Sequence, residues 1–211
     1  VLKVDVIDIS MPIHVDMQVY KNQDEKRPRF ETTADFPQRG FHETRLHLDA
    51  HTGTHVDAPL HMIPGGATSE SISLQQLVRP CRVVDCSSLK ECITAADIAA
   101  IAPQADEFLL FHTRNSHVDE FVADFVYIRE DAAQALARAR VAGVGVDGLG
   151  VERAQPDHPT HKILFAAGAV IIEGLRLQDV PAGVYTLVAA PLAVRGIDAS
   201  PARVLLLPAQ A

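Results

Sequence analysis

Three segments decide the fold class: Gly143-Val-Gly-Val-Asp147, Pro159-Thr-His-Lys-Ile-Leu-Phe-Ala-Ala167 and Val170-Ile-Ile172. Two short apolar runs flank a stretch of helical composition. Pro159 stands in its first turn and Gly168 follows its end, the places where proline starts and glycine stops a helix. The alternation extends backward along the chain. Glu130 to Val141 is an alanine-rich helix stopped at Gly143, and Phe108-Leu-Leu-Phe111 is a buried strand. Thr94-Ala-Ala-Asp97 opens a helix with a capping-box pattern. Arg82-Val-Val-Asp85 is a further short strand, and residues 73–78 read as a short helix. Strands alternating with helices from residue 80 to about 172 indicate an α/β core with some parallel strands. The Gly143-x-Gly145 pair is not a dinucleotide fingerprint, because the third glycine and the helix directly after it are missing.

Outside this stretch the chain is rich in strands and poor in helices. Val4 to Ile9, Phe41 to Ala50, Val184 to Ala189 and Val204 to Leu207 read as strands, which adds antiparallel pairing and makes the sheet mixed. Residues 10–40 contain Pro12, Pro28, Pro37 and Gly40 among many polar residues and read as irregular. A segment of that length without regular structure in a compact domain is usually functional or mobile. The length, 211 residues, fits one domain over 1–211.

Charge and composition exclude several classes of partner. Lys plus Arg is 19 against 27 for Asp plus Glu, a formal charge of −8. That argues against nucleic acid, which needs a concentrated basic surface. No segment approaches the roughly 20 apolar residues needed to span a bilayer. The opening residues lack the cationic and apolar blocks of a signal peptide. Cys81, Cys86 and Cys92 form no disulfide framework and no CxxC pair, and Cys81 reads as a small buried hydrophobe in a strand. These features together predict a cytoplasmic protein.

Ten histidines stand against three tyrosines and no tryptophan. Five of them, His42, His47, His51, His55 and His61, fall within twenty residues. The dense part is His51-Thr-Gly-Thr-His55-Val-Asp57-Ala-Pro59-Leu-His61. A helix is improbable there: Thr52, Gly53, Thr54 and Val56 are weak helix formers, and Pro59 disfavours the α conformation at Ala58. The stretch reads as a strand end entering a tight loop, with Gly53 letting His51 and His55 converge. In extended chain Asp57 faces the same side as His55. Two imidazoles and a carboxylate suit Zn²⁺ or Mn²⁺. The zincin helix motif fails, because Thr52 stands where a glutamate base is required. The base must come from elsewhere, and His61 is the candidate. His42 reads as structural, His47 as either a neighbour of the site or simply exposed, and His112 and His117 as background. Glu173 ends an apolar strand, an odd place for a carboxylate unless it is paired.

These residues resemble the signature of the metal-dependent cyclase-like hydrolases, the family of bacterial kynurenine formamidase and isatin hydrolase. His51, Gly53, Thr54, His55, Asp57, Pro59 and His61 match its pattern H-x-G-T-H-x-D-x-P-x-H at every fixed position. Val144–Asp147, His161–Leu164, Val170–Leu175, Ala190–Leu192 and Asp198–Arg203 also resemble segments of the family. The resemblance implies a swivelling β/β/α domain, with a mixed sheet flanked by helices. It implies two divalent metal ions, zinc first and manganese second. His51, His55 and Asp57 would hold one ion; Asp57 and Glu173 would bridge to the other, with His161 as its own ligand and His158 as a competitor for that place.

The activity implied is cleavage of the C–N bond of an aryl formamide such as N-formylkynurenine. Metal-activated hydroxide would attack, and His61 would act as catalytic proton shuttle. Tyr20 would contact an aryl substrate, and Arg45 or Arg114 could meet a carboxylate. A cyclic amide or lactone is the alternative substrate. A mononuclear metal oxygenase and a non-catalytic metal-binding protein are rival readings. The expected partners are a small-molecule substrate and further copies of the chain in a dimer or tetramer.

Overall fold

The computed structural model describes residues 5–209. Twelve strands and five α-helices occur among them. The strands are β1 (Ile7–Asp8), β2 (Arg29–Ala34), β3 (Glu43–His47), β4 (His55–Asp57), β5 (Val78–Asp85), β6 (Cys92–Ile93), β7 (Phe108–His112), β8 (Tyr127–Ile128), β9 (Gly143–Val146), β10 (Val170–Glu173), β11 (Gly183–Pro191) and β12 (Ala199–Pro208). The helices are α1 (Phe36–Arg39), α2 (Leu74–Leu77), α3 (Ala95–Ile101), α4 (Glu130–Ala139) and α5 (Pro159–Ala166).

An eight-stranded mixed sheet runs in the order β1-β12-β11-β5-β7-β9-β10-β4, and β12 pairs with β4 again. That last pairing closes the sheet into a barrel-like core. The segment β5-β7-β9-β10 is parallel, as the strand–helix alternation requires, and the remaining pairs are antiparallel. Closure leaves only the two-residue β1 as an edge of this sheet among the described residues, where a sheet of this size would otherwise present long open edges. The mixed α/β architecture expected from the sequence is the one observed.

Period-2 alternation along the parallel strands divides the core. Leu109, Phe111, Val144 and Val146 point outward and pack under α3, α4 and α5 with Ile98, Leu136 and Leu164. Phe108, Leu110, Val83 and Ile172 point inward and fill the barrel with Leu187, Val204 and Leu206. Gly143 and Gly145 are needed for this packing. A Cβ at Gly143 would stand 2.3 Å from the Phe108 ring, and one at Gly145 2.6 Å from Leu110. The pair makes room for large neighbours, which explains a glycine repeat with no phosphate role.

The helix starts follow their signals. Thr94 Oγ1 accepts from the Asp97 amide, and Asp97 Oδ2 accepts from the Thr94 amide at 2.8 Å, completing the capping box. Gly168, at φ +77°, ends the turn after α5.

Residues 10–40 are not irregular throughout. β2 pairs with β3 as an antiparallel hairpin apart from the main sheet, in the register Phe30↔Leu46 and Glu31↔Arg45. Exposed Glu31 and Thr32 and half-buried Thr33 make this strand, with no apolar alternation to announce it. The expected strand over 41–50 shortens to β3 and belongs to that hairpin. The strand expected from Val4 begins at Ile7; Val4 itself lies outside the described residues.

Candidate metal centre

His51 ends a turn in which its amide donates to Asp49 Oδ1 at 2.9 Å. The chain then passes Gly53, at φ +62°, into β4, where His55 and Asp57 share one face. β10 lies antiparallel beside it with Glu173 opposite His55, so pairing register carries Glu173 to the site. The two strands meet closely at their ends: a Cβ on Gly174 would lie 2.5 Å from the Gly53 carbonyl oxygen. The buried Thr54 hydroxyl ties this junction, donating to Gly174 O at 2.6 Å and accepting from the Met11 amide at 2.7 Å. His161 reaches in from the first turn of α5.

The side chains converge on Asp57. Its Oδ1 lies 3.1 Å from His51 Nδ1 and 3.4 Å from His55 Nε2, and its Oδ2 lies 3.7 Å from His161 Nε2. Glu173 stands 3.5 Å from His55 Nε2 and 3.4 Å from His161 Nε2. His55, Asp57, His161 and Glu173 are all buried.

Both Asp57 oxygens and His55 Nε2 are buried without a hydrogen-bond partner. Burying an anion without compensation is costly, and a cation is what such a carboxylate needs. The tautomers agree. His55 Nδ1 faces Gly53 O at 2.8 Å, and His161 Nδ1 faces Glu152 Oε1 at 2.5 Å. Each ring donates there from Nδ1, which leaves Nε2 as the nitrogen that would ligate once its proton is displaced, the arrangement of metal-ligating histidines. The donor set, imidazoles with carboxylates, fits a metal ion.

Charge in the cluster is strongly coupled. Burial opposes protonation of His55, but the Asp57 and Glu173 carboxylates outweigh it and hold the imidazole up at about 10. Burial and Asp57 push Glu173 up, and the His161 and His55 imidazoles bring it down to about 2. Without an ion the histidines hold protons, which metal binding would displace. His61 behaves oppositely: burial, aided by His51 and His161, holds it below the usual imidazole value. Its ring lies 4.1 Å from that of His51 and 5.5 Å from that of His161 between centroids.

The model of the Cyclase family, described as "Putative cyclase", matches residues 7–153. The kynurenine formamidase of Salinibacter ruber (strain DSM 13855 / M31) is 35% identical over 204 residues, 95% of this chain and 96% of the relative. The chain belongs to the Cyclase family. Among solved structures, a "predicted metal-dependent hydrolase from Bacillus stearothermophilus" is similar at 51% identity and a TM-score of 0.89, covering 98% of this chain and 99% of that one. Isatin hydrolase A from Labrenzia aggregata is similar at 26% identity and a TM-score of 0.84, covering 98% and 94%.

In this Cyclase-family chain a cavity of about 650 Å³ opens onto the cluster. Tyr20 lines it, with its ring 5.3 Å from that of Phe121 in an edge-to-face contact. Phe125, Leu149 and Met62 add apolar wall, and Lys21, Lys26 and Arg153 add positive charge. Arg45 and Arg114 take no part. Arg45 pairs with Glu31 on the hairpin and Arg114 with Asp124, because charge alone carries no information about position. His47 is likewise on the hairpin, bound to Glu31 at 3.0 Å. His158 is exposed, 3.9 Å from Glu152, and makes no contact with Asp57.

Two site residues escaped the sequence reading. Glu152 follows β9 and accepts from the His161 amide and ring. Asp198 precedes β12 and faces His51 Nε2 at 3.0 Å and His61 Nδ1 at 3.4 Å. Nothing in the sequence around either residue marks it, since the burial of Glu152 is visible only in the fold.

Proposed function

We propose that the protein is a metal-dependent hydrolase that cleaves the C–N bond of an aryl formamide, with N-formylkynurenine as the representative substrate. The observation that carries this reading is the buried, unpartnered Asp57 carboxylate beneath a cavity walled by Tyr20, Phe121 and Phe125. His51, His55 and Asp57 would hold one divalent ion, and Asp57, His161 and Glu173 a second. Zinc suits these nitrogen and oxygen donors first and manganese second. When bound, such ions supply Lewis acidity, lowering the pKa of water toward neutrality and polarising a carbonyl.

The chain's own residues do the rest. Aromatic walls orient the aryl ring and keep water from it. Lys21 and Arg153 attract an anionic substituent from the cavity wall, where Lys26 is already paired with Asp49 at 3.5 Å. His61 is held neutral by burial and its cationic neighbours, so its Nε2 can accept the proton of the attacking water. It returns that proton to the leaving nitrogen. One water is consumed, the C–N bond breaks, the formyl carbon leaves as formate and the arylamine is released.

Hydrolysis of a cyclic aryl amide is the second reading. It is favoured by the fold shared with isatin hydrolase A and by the same aromatic wall. Steady-state assays of the metal-reconstituted protein on N-formylkynurenine and isatin separate the two. Metal binding without turnover of either would leave a non-catalytic protein, and oxygen consumption would indicate an oxygenase.

Self-association in the cytoplasm completes the proposal. Phe30 and Leu46 form an exposed cross-strand pair on the hairpin, and Phe36 and Phe41 are exposed in the connection between its strands. Sedimentation equilibrium measures whether the species is a dimer or tetramer. No helix among the described residues is long and apolar enough to cross a membrane.

A further inference from the structure

We infer that Asp198 is a positioning residue, which sets the His61 ring for proton transfer through a carboxylate oxygen shared with His51. The inference rests on the reading of His61 as the proton carrier. The backbone places Asp198 firmly. Its carbonyl accepts from the Ala58 amide at 2.8 Å, and the next residue, Ala199, is paired with Asp57 in the β12–β4 ladder. Gly196, at φ +80°, turns the chain just before it, and the Gly196 amide donates to Glu70 at 3.1 Å. The ladder that carries Asp57 therefore also fixes Asp198.

The side chain then decides two tautomers. A carboxylate only accepts, so a ring nitrogen facing it must carry the proton. His51 donates from Nε2 at 3.0 Å, and its Nδ1, 3.1 Å from Asp57 Oδ1, is the nitrogen left to ligate once an ion displaces its proton. His61 donates from Nδ1 at 3.4 Å to the same Oδ2 and keeps the Nε2 lone pair free. Among the described residues Asp198 is the hydrogen-bond partner of the His61 ring, and without it no hydrogen bond there selects that tautomer. The side chain of Asp198 is 41% exposed. Its histidine partners are more buried, at 18% for His51 and 25% for His61, so thermal unfolding of Asp198→Asn is measured beside the assay to separate loss of chemistry from loss of fold.

The test is a double-mutant cycle of Asp198→Asn and His61→Ala in the zinc-loaded protein, read together with metal content and with ¹⁵N NMR of labelled histidine. Asparagine keeps the shape but can face His61 with either oxygen or amide, so it no longer selects the tautomer. Asp198→Asn should lower kcat on N-formylkynurenine about 10–100-fold, the usual effect of removing such a partner. Zinc affinity should fall as well, because His51 shares the same partner, so kcat is compared at saturating zinc, where KM should stay unchanged. In the His61→Ala background the same substitution should cost less than about 2-fold, because groups acting as one unit are not additive. NMR should show His61 as the Nδ1–H form in the parent and a mixture in the variant. An equal loss in both backgrounds, or an unchanged His61 tautomer with loss of zinc, would overturn the inference. Full activity of His61→Ala would instead sink the shuttle reading, and the tautomer would still decide whether Asp198 sets the ring.

Discussion

Gly174→Ala should be far more damaging than its small size suggests. Gly174 sits at φ +71°, in the left-handed region, where an L side chain costs about 1–2 kcal/mol. The added Cβ would also lie 2.5 Å from Gly53 O, 3.0 Å from Gly53 C and 3.3 Å from Thr54 Cα. All three are backbone-attached atoms that cannot rotate away. Overpacking of this kind costs a further 1–3 kcal/mol or so. Gly168 supplies the control: it has φ +77° and nothing within 4 Å of its Cβ position. Gly168→Ala should therefore lose only about 1–2 kcal/mol, and Gly174→Ala about 2–5 kcal/mol. For a chain of this length each kcal/mol lowers Tm by about 2–4 °C. Urea and thermal unfolding of chelator-treated proteins measure both without stabilisation by bound metal. Separation of β10 from the Gly53 turn would also pull Glu173 from His55, so Gly174→Ala should bind zinc more weakly while Gly168→Ala does not. Equal stability losses in the two variants, or normal zinc affinity in Gly174→Ala, would refute the close-approach argument.

Three further outcomes are expected. His61→Ala should retain its metal and lose about 10²–10⁴-fold in kcat, whereas His55→Ala should lose metal; elemental analysis beside the assay distinguishes them, and equal metal loss would remove His61 from the proton-transfer role. Glu152→Gln should weaken metal binding about 10–100-fold by loosening the His161 ring, as measured by chelator competition; unchanged affinity would make Glu152 a helix-start residue only. Burial pushes the Cys81 and Cys86 thiols up to about 12, leaving a thiolate share of about 10⁻⁴ at pH 8. An aromatic disulfide reagent should therefore label only the half-buried Cys92 in the native protein and all three in denaturant, and rapid native labelling of Cys81 would contradict the packing.

Legibility varied with the range of the interactions. α3 and α5 were readable because a capping box and a glycine stop act within a few residues, and α4 by its alanine content. α4 nevertheless ends at Ala139 on a left-handed Arg140 and not at Gly143, which opens β9. The β2–β3 hairpin was not, because its residues are mostly exposed and no apolar alternation marks a strand that packs on little. β12 runs ten residues where four were expected, because its first part is held by β4, some 140 residues earlier.

The site divides in the same way. His51, His55 and Asp57 could be grouped from the sequence because Gly53 and a three-residue strand bring them together locally. Glu173 was suspicious because an apolar strand ended in a carboxylate, but only the β4–β10 register puts it opposite His55. Glu152 and Asp198 carry no local mark. Each became a site residue when α5 packed beside β10 or when β12 closed the barrel on β4. Sequence alone determined which donors lie on one short stretch and which segments are helix or strand, since those depend on backbone preference and spacing. Tertiary structure decided which distant carboxylates face those donors, because pairing register and closure of the sheet are properties of the whole folded chain.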